Sequence, residues 1–122
     1  SSVPIYLQLM NDIKLQIVSG QLQPGEKLAS VRDLAMHYEV NPNTMQKALS
    51  ELERENLVFS QRTSGRFVTI ETDRIQSLRQ KMANEHLDAL VKALSSMGYS
   101  NDEIIELIKT FLEGKANVNT TT

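Results

Sequence analysis

The sequence predicts a mainly α-helical chain with one small β-hairpin, divided into a first domain and a shorter helical tail. Apolar residues recur at helical spacing in three segments before residue 57 and again beyond residue 72. Between these helical regions, two β-prone runs at 57–60 and 67–70 flank six polar residues with one glycine among them. The expected boundaries are 1–71 for the first domain, 72–114 for a helical module and 115–122 for a disordered or frayed end.

The second and third helices are predicted to form a helix-turn-helix. Ser30 is suited to cap the second helix, and Asn41 followed by Pro42 is suited to start the third, which runs to about Asn56. Because few residues separate these helices, they must meet at a sharp corner that leaves the start of the third helix protruding. With the hairpin as a wing, the predicted fold is a winged helix-turn-helix. An unrelated small α+β domain is the alternative.

The third helix has an apolar stripe and, opposite it, a ridge without carboxylates, here called the polar ridge. The stripe consists of Met45, Ala48, Leu49 and Leu52, and the polar ridge of Asn43, Lys47, Ser50 and Arg54. Amides, hydroxyls and cations suit base edges and phosphates, although an ordinary solvated helix face is the alternative interpretation. The surrounding charges favour nucleic acid. Lys47 is the only charged residue in 40–50, and Arg62 and Arg66 are the only ones in 61–70.

Composition narrows the possible classes of protein. The chain has 122 residues, a formal net charge of −2 and no cysteine, which excludes a uniformly basic binder and zinc sites built with Cys. It has no apolar run of about 18 residues and no secretory leader, so we expect a soluble cytoplasmic protein with no membrane partner. His37 and His86 fall in different parts of the predicted fold. We therefore expect no metal site, no cofactor and no enzyme; an enzyme built on the tail is a remote alternative.

The tail is predicted to form two helices that dimerise. Apolar residues at alternating steps of four and three form a heptad-like seam, made of Ala83, Leu87, Leu90, Leu94 and Met97. Ser100 and Glu103 form a capping box that opens the second helix, whose apolar face is too wide for one neighbour to cover. The expected dimer interface consists of Leu87, Leu90, Leu94, Ile104, Leu107, Ile108 and Phe111. Packing of the tail back onto the winged domain is the alternative.

Several blocks of the sequence, taken in order, resemble the GntR family of bacterial transcription regulators. They lie at 3–10, 20–28, 30–35, 40–44, 48–53 and 65–68, so that the resemblance covers residue 3 to about residue 70. The short two-helix tail is similar to the YtrA-type subfamily, which lacks the large effector-binding domain of other branches. The resemblance implies a homodimeric, sequence-specific repressor that binds a palindromic double-stranded DNA operator. An unidentified small-molecule effector would have to bind at the dimer interface or between the domains. A winged-helix module for protein–protein contact is the competing class.

The resemblance also implies which residues meet DNA. These are Arg32, Asn41, Asn43, Thr44, Gln46, Lys47, Arg62, Thr63, Ser64 and Gly65. Arg32 matches a DNA-contacting arginine, with a surface salt bridge as its alternative. Gln46 stands where an arginine often reads a base and can pair with adenine, whereas Lys47 is expected to hold a phosphate. Thr63 replaces the first of two glycines usual at the wing tip. For Arg66 two roles stay open, stacking on the neighbours of Phe67 or contact with the DNA backbone.

Overall fold

A computed structural model describes the backbone of residues 2–121 and the side chains of residues 2–115. The elements are α1 (Ile5–Val18), α2 (Val31–Tyr38), α3 (Pro42–Arg54), β1 (Val58–Gln61), β2 (Gly65–Val68), α4 (Thr72–Ser96) and α5 (Asn101–Thr121). The predicted class, mainly helical with one hairpin, is confirmed. None of the described helices is both long enough and apolar enough to cross a membrane.

The predicted caps of α2 and α3 are present. The Ser30 hydroxyl accepts a hydrogen bond from the Asp33 N–H at 3.1 Å, and the Asn41 side chain accepts one from the Asn43 N–H at 2.7 Å. Helix α2 ends at Tyr38, and the next residue, Glu39, has a left-handed backbone (φ 56°) that turns the chain towards α3. Local sequence signals therefore set the corner of the helix-turn-helix.

The core of the winged domain lies between α1, α2, α3 and the hairpin. Its buried apolar side chains are Leu9, Met10, Ile13, Ile17, Leu28, Ala35, Met45, Ala48, Leu49, Leu52, Leu57, Val58 and Val68. The predicted apolar stripe of α3 is at most 1% exposed throughout. Because this stripe is buried, the opposite face of α3 is left free for solvent or a ligand.

A polar cluster joins α1 to α2. The hydroxyl of Tyr38 donates to the carboxylate of Asp12 at 2.6 Å and accepts a hydrogen bond from the amide of Gln16 at 2.9 Å. Burial, with the hydrogen bond to Asp12, raises the pKa of Tyr38 to about 12. The phenol is therefore protonated at neutral pH and holds α2 against α1 as a hydrogen-bond donor.

The strands of the hairpin differ in extent from the sequence expectation, which gave a tip of six residues. Its antiparallel pairs run from Val58 opposite Val68 to Gln61 opposite Gly65, so only residues 62–64 form the tip. Polar residues on both sides of the tip therefore belong to the strands, because main-chain pairing does not require apolar side chains. Thr69 lies beyond β2, although its N–H still donates to the carbonyl of Leu57 at 2.9 Å.

Residues 25–28 lie against the free edge of β2 and extend the hairpin sideways. The Gly25 N–H donates to the Val68 carbonyl and the Leu28 N–H donates to the Arg66 carbonyl, both at 2.9 Å. The N–H of Val68 donates in return to Glu26, also at 2.9 Å. The wing is thus fastened along the outer edge of β2 to the segment that leads into α2.

The chain divides into two compact units, one ending at Arg79 and the other beginning at Gln80. The sequence had placed the division after residue 71, where the hairpin ends. Ile75 and Leu78 pack against the core of the winged domain, and this contact makes the first turns of α4 part of the first unit. The division therefore falls within a helix and not in a loop.

The second unit is made of the remainder of α4 and of α5. The predicted capping box is complete, since the Glu103 carboxylate accepts from the Ser100 N–H at 2.9 Å and the Ser100 hydroxyl accepts from the Glu103 N–H at 3.2 Å. Apolar side chains on both helices stay exposed, among them Leu87 (52%) and Phe111 (64%). Ile104, expected at the dimer interface, is instead 4% exposed in the single chain, in the first turn of α5.

The segment predicted to be frayed, 115–122, is helical in its backbone as far as Thr121. Fraying of this end stays a prediction of the sequence. Thr122 lies outside the described residues.

Candidate nucleic-acid interface

Helix α3 presents the polar ridge to solvent. Asn43, Lys47 and Ser50 are exposed, as is Gln46, whose side-chain amide donates to the Ser50 hydroxyl at 3.2 Å. Thr44, also predicted to meet DNA, is half-buried. The exposed side chains carry hydrogen-bond donors and acceptors of the kind that base edges accept and donate to.

The two cations of the polar ridge, Lys47 and Arg54, have different partners. Arg54, at the C-terminal end, lies 3.5 Å from the carboxylate of Glu51 and is partly neutralised by it. No ion pair among the described side chains involves Lys47. Its ammonium lies over the ring of Tyr6 instead, 4.1 Å from the ring centroid. The uncompensated positive charge of α3 is therefore in its middle, on the side that bears Asn43.

The wing tip is exposed and strained. Arg62, Thr63 and Ser64 are all exposed, and Thr63 has a left-handed backbone with φ 71°. The next residue, Gly65, has φ 109°, and a Cβ there would lie 3.3 Å from the Cε of Lys27. Glycine is therefore required at 65 by conformation, whereas threonine at 63 is held in a conformation that branched residues avoid.

A groove of about 750 Å³ separates the wing from the start of α2. Thr63, Ser64 and Gly65 line one side, and Lys27 and Ser30 line the other. The carboxylate-bearing Asp33 also borders this groove, which is therefore not purely basic. The structure thus brings the predicted wing-tip residues together with the N-terminus of the first helix of the helix-turn-helix.

In the single chain Arg66 forms an ion pair with a carboxylate of α3, and its contact with the DNA backbone stays a prediction. Its Nε donates to the carboxylate of Glu53 on α3 at 2.8 Å, and the hydroxyl of Ser60 donates to the same oxygen at 2.6 Å. The hydrogen bond from Ser60, followed by that from Arg66, lowers the pKa of Glu53 below its ordinary value. The ion pair therefore fixes the wing strands to α3 and neutralises one of the two arginines of the hairpin.

Arg32 is exposed on α2, and no carboxylate lies within ion-pair distance of it among the described side chains. The alternative of a surface salt bridge is thus not realised in the single chain. Arg62 is likewise exposed and forms no ion pair among the described side chains. Arg32 and Arg62 therefore each supply a free guanidinium suited to phosphate or guanine.

Three residues of this region were missed from the sequence. Tyr6 meets Lys47 from another helix, Lys27 reaches the wing tip, and Glu53 binds both hairpin strands. Each of these contacts joins residues distant along the chain, and no local spacing indicates them. A helix-turn-helix with an exposed polar ridge, free cations and a wing defines a winged-helix DNA-binding domain.

Comparison with known proteins gives the family. The family model described as bacterial regulatory proteins, gntR family, matches residues 5–68. The chain belongs to the GntR family of bacterial regulatory proteins, as the ordered sequence blocks predicted.

Relatives and solved structures extend the similarity beyond the winged domain. The chain is 41% identical to the HTH-type transcriptional regulator YhcF of Bacillus subtilis over 114 residues, which are 93% of this chain and 94% of that protein. It is 35% identical to the HTH-type transcriptional repressor YtrA of B. subtilis over 111 residues, covering 89% and 85% of the two chains. A GntR family regulator from Listeria monocytogenes superposes with a TM-score of 0.85 at 35% identity, over 90% of this chain and 96% of that one.

The DNA-binding domain of AraR, solved in complex with an operator, shares the winged fold. Its TM-score is 0.54 at 28% identity, over 57% of this chain and 83% of that one. The predicted winged helix-turn-helix and the predicted class, a DNA-binding transcription regulator similar to YtrA, are confirmed.

Proposed function

We propose that this regulator is a repressor that binds a two-fold symmetric operator as a homodimer, in the bacterial cytoplasm. The observation that carries the proposal is the polar ridge, exposed and with its one free cation, Lys47, between amide and hydroxyl side chains. The name of the relative YtrA supports repression, and the AraR–operator complex supports an operator as the ligand. Repression would follow from occupation of a promoter, which requires no catalytic group.

Each DNA-facing element has a proposed role. The start of α3 enters the major groove, where Asn43 and Gln46 reach base edges and Gln46 forms two hydrogen bonds with adenine. Lys47 and the N-terminus of α3 at Asn41 hold phosphates. The wing tip follows the adjacent minor groove, and Arg32 supplies a bidentate contact to phosphate or guanine.

Dimerisation is proposed through the second unit. Leu87 and Leu90 on α4 and Leu107 and Phe111 on α5 are all between 38% and 64% exposed in the single chain. Exposed apolar side chains at heptad-like spacing are typical of a helical seam that a second copy covers. Leu94 and Ile108 are half-buried and would border this surface, whereas Ile104 is already covered. A small-molecule effector stays a prediction of the sequence.

Binding to duplex DNA tests the proposal. We expect purified protein to select from a random duplex pool a palindromic motif whose half-sites lie about 10 base pairs apart. The logarithm of the affinity should fall linearly with the logarithm of the salt concentration, with a slope near −0.9 per phosphate neutralised. Lys47→Met should make this slope shallower. Arg74→Gln, which removes an exposed cation paired with Glu71 outside the proposed site, is the matched control.

Absence of binding to any duplex at low ionic strength would overturn the proposal. That result would favour the competing interpretation, a winged-helix module that binds another protein through the same face.

A further inference from the structure

We propose that Tyr6 is a positioning residue for DNA binding, which holds the ammonium of Lys47 in place for a phosphate without neutralising it. The inference rests on the proposed function and adds to it a residue of α1, outside the helix-turn-helix and the wing. It starts from the 4.1 Å distance between Lys47 Nζ and the centroid of the Tyr6 ring.

The ring itself is held firmly. Tyr6 lies in the first turn of α1, is half-buried and packs against the hydrophobic core. A second contact joins α1 to the residue that follows α3. It is the ion pair of Lys14 with Glu55 at 2.9 Å, eight residues further along the chain on both sides. Together these contacts show that α1 and α3 run side by side in the same direction, so that the position of the ring relative to Lys47 is fixed by helix packing.

An aromatic ring and a carboxylate have different effects on the charge of the cation that they hold. The other cations near α3 are held by carboxylates: Lys14 by Glu55, and Arg66 by Glu53. A carboxylate positions a cation and also cancels most of its field. An aromatic face attracts the ammonium through its quadrupole but carries no net charge, so the full positive charge of Lys47 stays available to an anion.

The geometry also explains why holding this side chain matters. A free lysine samples many rotamers, and this freedom is lost when the ammonium meets a phosphate. Contact with the Tyr6 ring restricts these rotamers before DNA arrives, and preorganisation of this kind strengthens binding. The cation that the sequence analysis assigned to a phosphate is therefore placed by a residue forty-one positions earlier in the chain.

A double-mutant cycle tests the proposal. The probe is a fluorescent duplex of mixed sequence and about 30 base pairs, long enough for two half-sites, since phosphate contacts do not depend on sequence. Tyr6→Leu keeps apolar bulk but removes the ring, and we expect it to weaken binding about fivefold. Tyr6→Phe keeps the ring and should retain most of the affinity. Ile5→Ala, an exposed neighbour in the same turn, is the control.

The decisive comparison is made in the Lys47→Met background. If Tyr6 acts through Lys47, Tyr6→Leu should cause no further loss there; an equal loss with and without Lys47 would overturn the proposal. In the free protein, the Lys47 side-chain protons should show a ring-current shift in NMR spectra that Tyr6→Leu abolishes and Tyr6→Phe keeps. Absence of this shift in the wild-type protein would overturn the proposal as well. Failure of the wild-type protein to bind the duplex would instead count against the proposed function.

Discussion

The carboxylate of Glu53 on α3 accepts a hydrogen bond from Nε of Arg66 on β2 at 2.8 Å. The same oxygen accepts from Ser60 on β1, so one side chain of α3 holds both strands of the wing. Helix α3 and the wing are thereby joined by a polar contact as well as by the core. Their relative orientation, on which the proposed simultaneous contact with two grooves depends, is set partly by this one carboxylate.

Replacement of Glu53 by Gln should weaken this joint. We expect the free energy of unfolding to fall by about 1 kcal/mol near neutral pH, because the charge-assisted bond to Arg66 is lost. The effect should depend on pH. Since the pKa of Glu53 is lowered from 4.5 in the folded protein, its stabilising contribution is present above that value and is lost as the pH falls through the lower, folded pKa.

Thermal unfolding followed by circular dichroism over a pH series would measure this contribution. The wild-type melting temperature should fall below pH 4.5 more steeply than that of Glu53→Gln. Parallel curves for the two proteins would show that the pair with Arg66 does not contribute to stability. Glu51→Gln, which removes the neighbouring carboxylate that pairs with the exposed Arg54, serves as the control.

The strain at the wing tip predicts a stabilising substitution. A left-handed conformation costs an ordinary residue about 1–2 kcal/mol, and Thr63 adopts it with φ 71°. Asparagine tolerates this conformation better, so Thr63→Asn should raise the free energy of unfolding by roughly 0.5–1 kcal/mol. Thr63→Val keeps the branched Cβ and should give no gain. Calorimetric melting temperatures would distinguish them, and an Asn variant no more stable than wild type would argue against strain.

Arg32 is expected to contribute to DNA affinity and not to folding. Its guanidinium is exposed and has no carboxylate partner among the described side chains, so Arg32→Ala should leave the melting temperature unchanged. The loss of one good contact to guanine corresponds to about 1–3 kcal/mol of binding free energy. Fluorescence anisotropy with the selected duplex measures this directly. Unaltered affinity would remove Arg32 from the site.

The exposed faces of the tail predict the oligomeric state. Glutamates introduced together at Leu107 and Phe111 should convert the proposed dimer into a monomer, because a charge cannot be buried in an apolar seam without a partner. Thr110→Glu, at an exposed polar position on the same helix, is the control. Sedimentation velocity would report the mass, with circular dichroism to verify that helix content is kept. A double variant that stays dimeric would show that this surface is not the interface.

The features that could be predicted from the sequence are those determined by residues close together along the chain. Caps such as Ser30, Asn41 and Ser100 bond to backbone groups within one helical turn, so the helix starts could be predicted without knowledge of the packing. The buried stripe of α3 likewise followed from a 3.6-residue period. The extent of the hairpin did not, because the pairing of Gln61 with Gly65 depends on the opposite strand and not on residue type.

The candidate site, like the fold, could be predicted from the sequence only in part. The exposed ridge of α3 lies where the helical period placed it, and the wing tip lies where the family resemblance implied it. The partners that position these residues come from elsewhere in the chain. Tyr6 and Glu53 each carry out this role through a contact made only after folding. The same holds for the end of the first unit at Arg79, which depends on Ile75 and Leu78 meeting a core formed by other helices.

The backbone pairing of residues 25–28 with β2 has a consequence for how quickly and how tightly the wing can engage a duplex. Main-chain hydrogen bonds join β2 to the segment that leads into α2. The hairpin is therefore already ordered before the protein meets DNA. The hairpin loses its conformational entropy when the protein folds, so this entropy is not lost again each time the protein binds DNA. If the Glu26–Leu28 segment were loosened, the hairpin would have to become ordered at each encounter with DNA. Association would then slow, even with every proposed DNA-contacting residue unchanged.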